Sequence, residues 1–68
     1  MIVRVNGNEQ KVESGTTLAD LVGATRGDAS GKGTAAAVNG EVVKRSEWPT
    51  TRLSEGDRVE VLAASQGG

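Results

Sequence analysis

Apolar and polar residues alternate through Ile2-Val3-Arg4-Val5, and this period of two predicts a half-buried strand with Val3 and Val5 turned inward. Asn6, Gly7 and Asn8 follow and tolerate the positive φ of a tight hairpin. Glu9 to Glu13 is therefore expected to return antiparallel, with Val12 as its main core contact. The period then changes. Leu18, Leu21 and Val22 fall at i, i+3 and i+4 on one helical stripe, with Thr16 or Thr17 able to cap its start and Asp20 suited to the helix dipole. The stripe is short, because the next position on it, Thr25, is polar, and Gly23 and Gly27 weaken the far end. The helix is expected to finish between Val22 and Arg26, before a Gly-rich loop that runs to Gly33.

Thr34 to Val38 reads as a strand rich in alanine, whose small side chains would let a helix come close to the sheet. Asn39-Gly40 is a second hairpin turn, and Glu41 to Lys44, carrying Val42 and Val43, is the returning strand. From Arg45 to Thr51 the chain passes through Trp48-Pro49, a pair expected to exclude a regular element, and Leu53 is expected to plug the core from this connection. Glu55, Gly56 and Asp57 mark a turn. Beyond it Arg58 to Ala63 alternates again, with Val59, Val61 and Ala63 on one face and Leu62 on the other. Strand, strand, helix, strand, strand, strand predicts an α+β fold in which one mixed sheet packs on a single helix.

With 68 residues the chain is expected to be one domain of a size that buries only about 60% of its unfolded surface, so each apolar position counts. It has neither cysteine nor histidine, which removes the usual nucleophile, the usual proton shuttle at neutral pH and the commonest metal ligand. An independent enzyme is not expected. Eight basic and nine acidic residues are dispersed along the chain, with no block that could neutralise a run of phosphates, so nucleic acid is not expected as a partner. The longest apolar runs, Ala35 to Val38 and Val61 to Ala64, are too short to span a bilayer, and Met1 opens directly into strand-like sequence. A cytoplasmic protein without a membrane partner is the expectation, and the lack of a large apolar face makes a monomer the expected free state.

The chemistry concentrates at the end of the chain. Ser65-Gln66-Gly67-Gly68 has no apolar anchor and follows a strand expected to end near Ala63 or Ala64, which divides the chain into a domain at 1–64 and a free tail at 65–68. Four extended residues reach about 13 to 14 Å, enough to thread a partner's cleft while the body stays outside. Gly67 is a spacer that can take backbone angles closed to other residues, and Gly68 sets no β-carbon beside its carboxylate. A carboxylate resists nucleophiles because it is anionic and its oxygen leaves badly. Activation as an acyl-adenylate made from ATP would let a sulfur nucleophile displace AMP and leave a thiocarboxylate.

Other signals weigh less. Leu62, with Ala64, could form an apolar docking patch, or could pack at the sheet edge. Trp48, the only aromatic residue, reads better as a cover for the edge of a small core than as a binding anchor. Glu55, Asp57 and Glu60 could steer the tail toward a basic groove, although such charges are more often simply solvated. Gly27 to Thr34 imitates a phosphate-binding loop, but its glycine spacing is short by one and glycine follows Lys32, so it is read as a solvated connection. Arg26-Gly27-Asp28 matches an adhesion tripeptide by chance.

Taken in order, Val5-Asn6-Gly7, Gly15-Thr16-Thr17-Leu18 with Asp20-Leu21, Ala37-Val38-Asn39-Gly40 with Val42-Val43, Arg45, Trp48, Gly56-Asp57-Arg58-Val59-Glu60-Val61-Leu62 and Gly67-Gly68 make the chain resemble the thiamine-biosynthesis sulfur carrier family, ThiS. The resemblance leaves out only the loop from Gly23 to Gly33. It implies a ubiquitin-like β-grasp domain whose Gly68 is adenylated by an ATP-dependent activating enzyme, an adenylyltransferase. Sulfur then comes from a donor such as a cysteine desulfurase, and the thiocarboxylate delivers it to thiazole synthase. No cofactor is expected to be bound, since ATP is consumed by the activating partner. Sulfur carriers of molybdopterin or cysteine synthesis share the fold and the diglycine end. An inert β-grasp interaction module is the reading from a different class.

Overall fold

Two Asn-Gly turns organise the molecule. In the computed structural model, which describes residues 1–26 and 33–63, strand β1 (Ile2–Val5) turns through Asn6 and Gly7 into β2 (Asn8–Lys11). Strand β3 (Thr34–Val38) likewise turns through Asn39 and Gly40 into β4 (Glu41–Val43). Both turn residues have positive φ in each case, at 51° and 87° and at 52° and 88°. That is the two-residue hairpin geometry whose twist matches the flanking strands, and Asn and Gly are the residues that adopt it cheaply. The last strand, β5 (Arg58–Ala63), lies between the hairpins, antiparallel to β3 and parallel to β1, giving the order β2-β1-β5-β3-β4.

The helix α1 (Leu18–Arg26) covers one face of this sheet. Of the two candidate caps the structure uses Thr17, whose Oγ1 accepts from the Asp20 N–H at 3.2 Å while its own N–H donates to Asp20 Oδ2 at 3.1 Å. This is a reciprocal capping box with Asp in the place usually held by Glu. Leu18, Leu21 and Val22 are all buried, and they meet Val3 and Val5 of β1, Ala36 of β3 and Val59 and Val61 of β5 in one core. The helix runs to the far limit of the expected range. Of the three alanines of β3 only Ala36 lies in that core; Ala35 and Ala37 face the other way.

The expected exclusion of regular structure around Trp48-Pro49 is corrected. Arg45–Thr50 forms a 3₁₀ helix with Pro49 inside it. The missing proline N–H costs little in so short a turn. Glu47 N–H reaches the Lys44 carbonyl at 2.8 Å, Thr51 N–H reaches that of Trp48 at 3.2 Å, and the hydroxyls of Thr50 and Thr51 both donate to the Glu47 carbonyl. Trp48 is only 2% exposed, and its Nε1–H donates to the Val43 carbonyl at 2.9 Å. The reading of Trp48 as core cover therefore holds. Leu53 is buried as expected, held by the antiparallel exchange in which Leu18 N–H donates to Thr51 O at 2.8 Å and Leu53 N–H to Thr16 O at 2.9 Å. The returning strands are shorter than expected: β2 stops at Lys11 and β4 at Val43. Val12 still packs, half-buried, against the core, tied by paired backbone bonds to Met1. One mixed five-stranded sheet on one helix is the β-grasp arrangement.

Candidate functional site

Strand β5 is paired along both edges. On one side β3 pairs with it along five registered positions, from Thr34 opposite Ala63 to Val38 opposite Val59. On the other side β1 reaches only Val5 opposite Val59, and from there Asn6 takes over. Its N–H donates to the Val59 carbonyl at 2.9 Å, its Nδ2 to the Val61 carbonyl at 3.1 Å, and its Oδ1 accepts from the Val61 N–H at 2.9 Å. At the start of β5, Asn39 works in the same way. Its N–H donates to Arg58 O at 2.7 Å, its Oδ1 accepts from Arg58 N–H at 2.9 Å, and its Nδ2 donates to Asp57 Oδ1 at 3.0 Å. Each turn asparagine thus does two jobs: it supplies the left-handed backbone and pins β5.

Gly67 and Gly68, the expected reactive end, and Ala64, the second member of the expected docking patch, lie outside the described residues. Leu62 is described, and it is 65% exposed on the face opposite the helix. The register surrounds it with small and apolar neighbours. Ala35 stands opposite Leu62, Ala37 opposite both Glu60 and Val42, and Val42 is 79% exposed. Together Ala35, Ala37, Gly40, Val42, Glu60 and Leu62 line a shallow concavity of about 180 Å³. Reading the sequence missed Val42, because adjacent valines in a three-residue strand do not tell which faces out. The register does, by placing Val43 opposite the buried Ala36.

The acidic trio divides. Glu55 Oε1 accepts from the Ile2 N–H at 3.0 Å, and Asp57 Oδ2 accepts from the Ser54 N–H at 2.7 Å, so both build the turn that precedes β5. Glu60 alone faces the concavity. Of the segment that imitates a phosphate loop only Gly33 and Thr34 are described, and of the adhesion tripeptide only Arg26; the rest of both, at 27–32, lies outside the described residues. Among the described residues no group of three or more Asp, Glu, His or Cys side chains is placed to share a metal ion, and no helix is long and apolar enough to cross a membrane. The outer face of β5 thus presents an apolar hollow around Leu62 and Val42.

Comparison with known proteins gives the surface its setting. The ThiS family model matches residues 3–68. The crystal structure of the thiamine biosynthesis protein (ThiS) from Geobacter metallireducens superposes with a TM-score of 0.81 at 30% identity, covering 100% of each chain. A solution structure of a thiamine biosynthesis protein from the same organism gives 0.79 at 30% identity over 100% of this chain and 88% of that one. No curated protein matches. With the family pattern running from the first strand through Gly68 and the fold matching over its whole length, the chain belongs to the ThiS family.

Proposed function

We propose that the protein is a sulfur carrier for thiazole formation in thiamine biosynthesis and that Gly68 is the residue that carries the sulfur. The observation that bears most weight is the match to the ThiS family, which extends through Gly67-Gly68. In this reading an oxygen of the Gly68 carboxylate attacks the α-phosphorus of ATP in the active site of an activating enzyme and releases pyrophosphate. A sulfur nucleophile, fed by a cysteine desulfurase or a comparable donor, then displaces AMP and leaves the thiocarboxylate, which thiazole synthase consumes.

No side chain of the carrier takes part in the bond making. Its contribution is geometric: the diglycine end enters the partner's cleft while the partner covers the apolar hollow of Leu62, Val42 and Ala35 on the outer face of β5. Ala64 is proposed to extend that hollow toward the tail. The small apolar area suits transient contacts with successive partners, because an interface that must be exchanged at each turnover cannot be held tightly.

Removing the last residue tests this reading. A chain ending at Gly67 keeps the domain intact but moves the carboxylate back by about 3.3 to 3.6 Å, out of reach of chemistry set for Gly68. Reconstitution with activating enzyme, sulfur donor and thiazole synthase should yield thiazole phosphate with the full chain and none with the shortened one. Equal yields would refute the assignment, and product formed only with molybdopterin synthase would move the carrier to that pathway.

A further inference from the structure

The outer face of the sheet is not uniformly apolar. At the other end of β5 from Leu62, Arg58 stands directly opposite Arg4 of the parallel strand β1, both exposed on the same face. Like charges on directly opposite residues are destabilising. The one ion pair among the described residues, Arg4 Nη2 to Glu9 Oε2 at 3.7 Å, is long and more than half exposed on both sides, so it offsets little of that repulsion. The two arginines, with Glu60 and the bare backbones of Gly7 and Gly40, line a second concavity of about 210 Å³. A β-carbon at either glycine would meet nothing within 4 Å, so the hollow is open on both flanks to an approaching side chain.

This basic hollow adjoins the apolar one, sharing Gly40 and Glu60 with it. Along β5 the outer face presents Arg58 with Arg4, then Glu60, then Leu62, over about 13 Å from Arg58 to Leu62. We propose that Arg4 and Arg58 form a cationic anchor for carboxylate side chains of the activating enzyme, and that this anchor sets the orientation in which the carrier docks. The inference rests on the sulfur-carrier reading. Guanidiniums present a planar fork that matches carboxylates in two-point contact, and an acidic partner surface relieves the Arg–Arg repulsion that the free domain bears. Glu60, between the anchor and the apolar hollow, disfavours a docking pose shifted by two residues, which would bring the partner's carboxylates against it. A nucleic-acid backbone is a poorer fit, since a run of phosphates calls for more cations than these two arginines and the apolar Leu62 and Val42 lie next to them.

The test uses the full chain with its activating enzyme, following ATP–pyrophosphate exchange against carrier concentration at low and high salt. Arg4→Ala/Arg58→Ala should raise the KM for the carrier about tenfold at low salt and flatten its salt dependence, while the rate at saturating carrier stays within about twofold. Arg4→Lys/Arg58→Lys should recover only part of the loss, because an ammonium lacks the fork. The thermal midpoint of the alanine variant should hold or rise. An unchanged KM and salt dependence would overturn the proposal. So would a KM change that tracks a loss of folded protein, or self-association of the wild type that the alanine variant abolishes. If the wild-type chain itself supports no exchange, the carrier reading falls and the anchor with it; failure of the anchor alone leaves the wild type fully active.

Discussion

The side-chain amide of Asn6 stands in for a peptide group beside Val61, accepting from its N–H at 2.9 Å and donating to its carbonyl at 3.1 Å. The stand-in sits where β1 has already turned away and β5 has not, so it continues the ladder along β5. Asn6→Gly keeps the positive φ and removes the amide, while adding the backbone freedom of glycine to the unfolded chain. It should cost about 1–3 kcal/mol in urea unfolding, with protection from hydrogen exchange lost first at Val61. A change of a few tenths of a kcal/mol would show the bonds to be incidental.

Trp48 is buried, and its indole N–H reaches the carbonyl of Val43. Trp48→Phe should cost about 1 kcal/mol for the lost hydrogen bond plus a packing penalty, whereas Trp48→Ala should cost about 3–5 kcal/mol, comparable with the whole stability of a domain this small. As the only aromatic residue it is also the natural probe. Its emission should be that of a buried indole and should shift to the red in one step with the loss of circular dichroism.

The capping pair Thr17 and Asp20 should be coupled, since each side chain bonds the other's backbone N–H. Thr17→Ala and Asp20→Ala should each cost about 1 kcal/mol, and the double variant less than their sum, because the second deletion removes a half-broken box. Strict additivity in thermal melts would mean that the two bonds act independently.

Much of this fold was legible because alternation and helical spacing each point one way. Val3 and Val5, Leu18 with Leu21 and Val22, and Val59 with Val61 sort themselves into inner faces before any coordinate is seen, and all of them are buried. What was not legible depends on partners distant in the chain. A turn asparagine looks the same in sequence whether or not its amide reaches across to β5. Pro49 forbids an α-helix interior but not a single 3₁₀ turn whose open carbonyl is met by threonine hydroxyls. Leu62 could be assigned to the outer face from its own strand, but the outward face of Val42 follows from the register of its hairpin, and Arg4 meets Arg58 only across parallel strands more than fifty residues apart in sequence.

Leu62 and Val42 should matter to partners and not to folding. Leu62→Ser and Val42→Ser each remove a side chain that is mostly exposed, so stability should change by no more than about 0.5 kcal/mol. Binding to the activating enzyme and to thiazole synthase should weaken severalfold in each, since these are the large apolar groups of the hollow. Titration calorimetry with both partners checks this. Affinities equal to the wild type would move the docking surface to another face.

The most direct measurement is the intact mass of the chain after incubation with its activating enzyme, ATP and a sulfur donor. The account predicts that one oxygen is exchanged for sulfur, located at Gly68 by fragmentation and absent when ATP is left out or when the C-terminus is amidated. An unchanged mass under conditions where the activating enzyme hydrolyses ATP in response to the carrier, or sulfur found on any other residue, would contradict it.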